Sequence, residues 1–329
     1  MKTNPFKFGS VVDGSFFTDR EEELEKIRSY LNGENHLILI SPRRFGKTSL
    51  IRKIVNESDR KYLFLDVQIV LSAEDFASQL LKRIYRIYPV EKLKSFIKSF
   101  RIIPTVNINP VTGEPEISFN PGTRDLTPLE DVLNLIEKLG ASGKKKIIVV
   151  LDEFQDIFRI DKGLDRFLRS VIQNHKHINY IFMGSSESMI REIFEKRSSP
   201  FYRFGSLMTL DKIERGKFIL FLEEKLHDIT DKNQELALQI LDITESHPFY
   251  TQQLAFTVWE HLIRSGFSSG IVESASDEIV QSHDNDYERL WNSFNRTDMT
   301  ILNGMSSSDV SPLSDEFSRL NGTGAVSTV

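Results

Sequence analysis

The 329-residue sequence contains no cysteine. That absence removes disulfides, thiolate metal sites and a cysteine nucleophile together. An excess of basic charge is missing too. Lys and Arg number 42 against 47 Asp and Glu, for a formal net charge of −5, so composition gives no support for a surface built to coat nucleic acid. Long apolar runs are also lacking: stretches such as 147–151 are strand-sized and far short of the roughly 20 residues that span a bilayer. The opening Met1-Lys2-Thr3-Asn4-Pro5-Phe6 has no apolar signal-peptide core. These absences point to a soluble, cytoplasmic protein without a membrane partner. What is present is core material: 24 residues are Phe and 40% are hydrophobic, enough at this length for two or three packed units.

Along the chain, strand and helix signals alternate. Thr18 with Glu21, or Asp19 with Glu22, has capping-box spacing ahead of an apolar helical stripe of Leu24, Ile27 and Leu31. A buried strand is expected at 37–40, then a loop, then a helix from Thr48 carrying Leu50, Ile51, Ile54 and Val55. A strand at 62–67 and a helix from Ser72 to about 88 follow. Residues 102–119 break the pattern, with two alternating segments around a Pro/Gly turn, and predict a β-hairpin inserted in the core. Helix 128–139, strand 146–151, helix 161–174 and strand 178–183 resume the alternation. Near-continuous apolar strands separated by helices indicate an α/β fold, a parallel sheet covered on both faces.

Beyond residue 210 the strand signals stop. Helices are expected at about 213–228, 233–245, 248–265 and 273–294, then short ones at 297–304 and 313–320, with 325–329 reading as the opening of another. The expected domains are 1–210, 211–294 and 295–329.

Ser41-Pro42-Arg43-Arg44-Phe45-Gly46-Lys47-Thr48 matches the phosphate-loop pattern except at its first position, and it lies between an apolar strand and an amphipathic helix. Loop and helix N-terminal amides attract phosphate oxygens, helped by the helix dipole. Gly46 lets the backbone approach without a Cβ clash. Lys47 is placed to reach the β- and γ-phosphates of ATP, and the Thr48 hydroxyl to ligate Mg²⁺. Ser41 precedes Pro42 and is expected to keep a negative φ.

The matched acidic partner is 146–153, an apolar strand that ends in Asp152-Glu153. Asp152 is the candidate Mg²⁺ ligand through water, and Glu153 the residue that orients or deprotonates the attacking water. Strand 178–183 ends in Gly184-Ser185-Ser186, where Ser185 or Ser186 either reaches the γ-phosphate or water, or simply caps a helix. Arg197 and Arg203 are candidates for stabilising transition-state charge, Arg203 the better. No histidine has the spacing of a zinc site.

Together these residues resemble the archaeal-type ATPase family of the AAA+/STAND group of P-loop proteins. The segments that match are 17–24, 41–50, 151–156, 184–186, 199–202 and His247-Pro248-Phe249-Tyr250, in the family's order. The resemblance implies an αβα core, a helical lid and a C-terminal winged helix. It implies that Phe17 and Arg20 lie near the adenine or ribose, that Ser41 through Ser49 bind the nucleotide, and that His247-Pro248 closes over it from the lid. Residues 313–329 then look like a winged helix cut off inside its recognition helix, and a complete one would be needed for DNA binding. The expected function is an ATP-driven switch of slow turnover, with a second copy or another protein as partner. The alternatives are an ATP-dependent DNA-binding protein related to origin-recognition ATPases, and a nucleotide-binding scaffold without hydrolysis.

Overall fold

A computed structural model describes residues 2–33, 35–111, 113–119 and 125–322. The chain forms two compact units, Met1–Phe256 and Thr257–Val329. The first is built on a five-stranded sheet of β1 (Leu37–Ile40), β2 (Tyr62–Asp66), β5 (Ile147–Asp152), β6 (Ile178–Gly184) and β7 (Ser206–Thr209), in the order β2-β5-β6-β1-β7. Every pairing in it is parallel, so all five C-terminal strand ends share one edge. A separate antiparallel pair, β3 (Thr105–Ile108) and β4 (Pro115–Ser118), is the hairpin the sequence predicts. Glu114 at its turn pairs with Lys82 and Arg86 of helix Ala73–Ile87.

Alternate residues of each strand face opposite sides. Ile38, Ile40, Val149, Leu151, Tyr180 and Phe182 join one buried cluster with helices Ala73–Ile87, Thr127–Ala141 and Leu164–Ile172. Leu37, Leu39, Ile148, Val150, Ile181 and Met183 join the other with helices Glu21–Asn32 and Lys47–Glu57. The result is the expected αβα sandwich. Beneath the end of β6, Phe154, Phe182, Phe194 and Phe201 are each at most 2% exposed, and Phe201 stands edge-on to Phe154 at 5.4 Å and to Phe194 at 5.6 Å. Aromatic pairs in this geometry add to the stabilisation from area burial alone.

Three local expectations need correction. Helix Glu21–Asn32 has no side-chain cap from Thr18 or Asp19. Its N-cap is Arg20, and both Asp19 and Arg20 take left-handed backbone with φ of 55° and 77°. Tertiary partners override the local capping signal: Lys217 pairs with Asp19 at 2.9 Å, and Arg20 donates to the Asp211 carbonyl at 2.5 Å. The helix expected over 273–294 is two, Ile271–Ser282 and Asp284–Ser293, because the backbone turns at His283. A fifth strand, β7, lies where no strand was expected.

The second unit is helical. Helices Arg296–Ser307 and Asp315–Asn321 pack where the bare backbone of Gly304 admits the fully buried Phe317 ring. The helix opening expected at 325–329 lies outside the described residues.

Phe201→Ala empties the aromatic cluster and is expected to cost about 3–5 kcal/mol of stability. Phe201→Leu should cost distinctly less. Urea unfolding of both variants beside wild type measures the two effects, and a Phe201→Ala midpoint equal to wild type would contradict the packing described.

Candidate functional site

The loop after β1 begins at Ser41, which is fully buried and donates its N–H to the Gly184 carbonyl at 3.4 Å. Ser41 is not among the residues with positive φ, in line with the reading of Ser41-Pro42. The loop instead turns through left-handed Arg44 and Gly46, with φ of 68° and 90°. Gly46 is the N-cap of helix Lys47–Glu57 and supplies no side chain to its first-turn amides. Those amides, at the positive end of the helix dipole, are the donors an anion would use. Lys47 is 6% exposed. Its Nζ donates to the carbonyls of Ser41 at 2.9 Å and Pro42 at 3.3 Å, and burial holds its pKa below the ordinary lysine value.

β5 delivers the two carboxylates to the same edge. Glu153 takes left-handed backbone, φ 49°, so the chain turns sharply after Asp152 and the two side chains diverge. Asp152 Oδ2 accepts from the Thr48 hydroxyl at 3.1 Å. Burial, with the charge of Glu153 next to it, pushes Asp152 up to about 6. Glu153 Oε2 accepts from Gln155 Nε2 at 2.6 Å and from the Ser185 hydroxyl at 2.7 Å. Burial would raise Glu153, but these hydrogen bonds and the charge of Lys47 outweigh it and leave it below the ordinary value. Thr48 and Asp152 are hard oxygen donors side by side, a pair that suits Mg²⁺ completed by water and phosphate.

Lys47, Thr48 and Glu153 border a cavity of about 730 Å³, which Ser41, Pro42 and Asp152 do not line; it is large enough for a nucleotide-sized ligand. Arg43 through Ser49, with Glu153, Phe17, Arg20 and Pro248, line it. Arg20 is held by Glu23 at 2.7 Å as well as by Asp211. His247 stands behind the loop, its ring edge-on to Phe45 at 4.8 Å. Arg44 lies over the Phe249 ring at 4.4 Å. Ser185 reaches Glu153 rather than the cavity itself, and Ser186 is the N-cap of helix Glu187–Glu195. Arg197 and Arg203 are both exposed and neither lines the cavity; Arg203 lies over its neighbour Tyr202 at 5.2 Å. Ser49 turns its hydroxyl away from the loop, to accept from the Val12 N–H at 3.0 Å.

Two contributors escaped the sequence reading. Residues 7–12 and Phe16 form one wall of the cavity, and Gln252 stands with them. The segment has no helical or strand period, and its only signal is Phe6, Phe8, Val11, Val12 and Phe16 scattered in a Gly-containing stretch.

A family model for ATPase domains predominantly from Archaea matches residues 17–254. No curated protein matches the chain. Among solved structures, the Walker-type ATPase of Pyrococcus abyssi is 18% identical with a TM-score of 0.63, over 89% of this chain and 81% of that one. The Aeropyrum pernix ORC2 protein, in ADPNP–ADP complexes, is 17% identical with a TM-score of 0.55, over 97% and 80%. The Aeropyrum pernix ORC1 protein in complex with DNA is 15% identical with a TM-score of 0.50, over 95% and 80%. At such identities the likeness is one of fold.

Asp152 generates a prediction of its own. The folded chain keeps its proton up to about pH 6, whereas the ordinary aspartate value is 3.8. The buried charge therefore costs stability above pH 6, and the cost fades as pH falls towards 4. Without nucleotide or metal, Asp152→Asn should raise the melting temperature well above pH 6 and raise it less near pH 4. Thermal melts across that range test this, and a gain independent of pH would refute it.

Proposed function

Because the chain belongs to the family of ATPase domains found predominantly in Archaea, we propose that it binds ATP with Mg²⁺ and hydrolyses it to ADP and phosphate. The observation that carries this reading is a single cavity bordered by Lys47, Thr48 and Glu153, with Asp152 bonded to Thr48. Lys47 exchanges the carbonyls of Ser41 and Pro42 for phosphate oxygens, and the amides of Gly46 through Thr48 complete the cradle. Thr48 and Asp152 hold the metal, which supplies charge neutralisation to the β- and γ-phosphates when bound. Glu153, kept ionised by Gln155 and Ser185, orients the attacking water. Turnover is slow in this reading, because Glu153 Oε2 already accepts from Gln155 and Ser185, which leaves the other carboxylate oxygen to orient the water.

The same site would act as a switch. Arg44 on Phe249 and Phe45 against His247 join the phosphate loop to the first turn of helix Pro248–Ser265, so occupancy of the loop is felt there. In this reading residues 1–210 are the ATPase core, 211–294 the lid and 295–329 a partial winged helix. The protein works in the cytoplasm, with a second copy or another protein as the reader of its state. Among the described residues no helix is long and apolar enough to cross a membrane.

ATP binding and phosphate release, measured for wild type, Lys47→Ala and Glu153→Gln, decide the matter. Lys47→Ala should lose binding. Glu153→Gln should bind normally and turn over about a hundredfold more slowly, the scale of a lost acid–base group. Equal turnover in all three would refute the assignment.

A further inference from the structure

The cationic side chains that line the cavity are Lys7, Arg20, Arg43, Arg44 and Lys47. All but Arg43 are committed. Lys7 lies over the Phe16 ring at 5.6 Å, and Arg20 is held by Glu23 and the Asp211 carbonyl. Arg44 covers Phe249, and Lys47 rests on the carbonyls of its own loop. Arg43 is exposed and has no hydrogen bond or ion pair among the described residues. The backbone on either side of it is fixed, by the Pro42 ring and by the left-handed turn at Arg44. Its stem therefore leaves the loop from a defined place while its guanidinium stays free.

The charge of Arg43 is felt by two groups of the site. Burial pushes the Lys47 pKa down, and Arg43 adds to that effect. Burial pushes the Asp156 carboxyl up, while Arg159 and Arg43 oppose it. Asp156 ends the turn Phe154–Asp156 that follows Glu153 directly. The free guanidinium is thus within electrostatic reach of both the loop lysine and the turn beside Glu153. Neither Arg197 nor Arg203 lines this cavity. Resting on the ATP reading, we propose that Arg43 is a catalytic residue, donating to the γ-phosphate oxygens from the phosphate loop of the same chain. As the water oxygen bonds to the γ-phosphorus, the bond to the β–γ bridging oxygen breaks. Its electron pair stays on ADP, and the proton of the water leaves through Glu153. The γ-phosphate oxygens carry the charge of that step, and a forked guanidinium answers two of them at once. ADP lacks those oxygens, so Arg43 acts on turnover and leaves ADP binding alone.

Arg43→Ala removes the guanidinium from an exposed, unpartnered position, so the variant should keep the wild-type melting temperature. Single-turnover phosphate release from ATP with Mg²⁺ should fall about a hundredfold. ADP affinity, by calorimetric titration, should stay within about twofold of wild type. Free guanidinium at low millimolar concentration should restore part of the rate in Arg43→Ala and none in Lys47→Ala, a rescue that a merely structural loop residue would not show. Wild-type turnover per molecule should not depend on protein concentration, as a charge supplied within one chain requires. The proposal is overturned, and the ATPase reading left standing, by unchanged turnover in Arg43→Ala, by a fall that guanidinium leaves untouched, or by ADP binding weakened as much as turnover. A specific activity that climbs with protein concentration also overturns it, assigning the charge to a neighbouring copy. Wild type that neither binds ADP nor releases phosphate overturns the ATPase reading, and this inference with it.

Discussion

The direction of the strands is the constraint on which the site depends. With every strand of the sheet parallel, the chain leaves β1, β5 and β6 at the same edge, and Ser41, Asp152 and Gly184 come together there without any long-range contact having to be arranged separately. β6 lies between the other two, so Thr48 can meet Asp152 only across its end. At that end Gly184 leaves room for Ile190 and Gln155. A Cβ there would stand 2.4 Å from the Ile190 side chain and 2.5 Å from Gln155 Oε1, and Gln155 is one of the groups that aims Glu153.

The site also concentrates what a fold ordinarily avoids. A lysine and an aspartate are buried within it, and Arg44 and Glu153 hold left-handed backbone that costs a non-glycine residue on the order of 1–2 kcal/mol. Such costs persist where the surroundings over-determine the geometry. Here the aromatic cluster around Phe154 and the fully buried strand β5 hold the turn that carries Glu153.

Much of this was legible in the sequence because the signals are local. Residues 147–151 are apolar without interruption because β5 is covered on both faces, and the loop residues 41–48 announce themselves by type and spacing. β7 was not legible. Ser206-Leu207-Met208-Thr209 has two apolar residues and no preceding strand signal, and it is recruited by the open side of β1. Nor was the start of helix Glu21–Asn32, where Thr18 and Asp19 look like caps but Lys217 and Asp211, about 190 residues away, decide the backbone. Helix Val90–Ile97 went unanticipated. Arg203 is exposed after the turn at Pro200 and does not line the cavity of its own chain. The segment 7–16 is the extreme case: it has no period, and only its partners give it a shape.

The N-terminal segment has a practical consequence for handling the protein. Lys2 donates to the Asp228 carbonyl, Asn4 to the Phe256 carbonyl, and Phe6 is buried against Phe221. Residues 2–6 are therefore structural parts of the unit that holds the cavity. An affinity tag or fluorescent fusion joined ahead of Lys2 would be anchored within a few residues of the cavity wall. Its linker would need enough slack to leave those anchors seated, or a labelled preparation would report on a site altered by its own label.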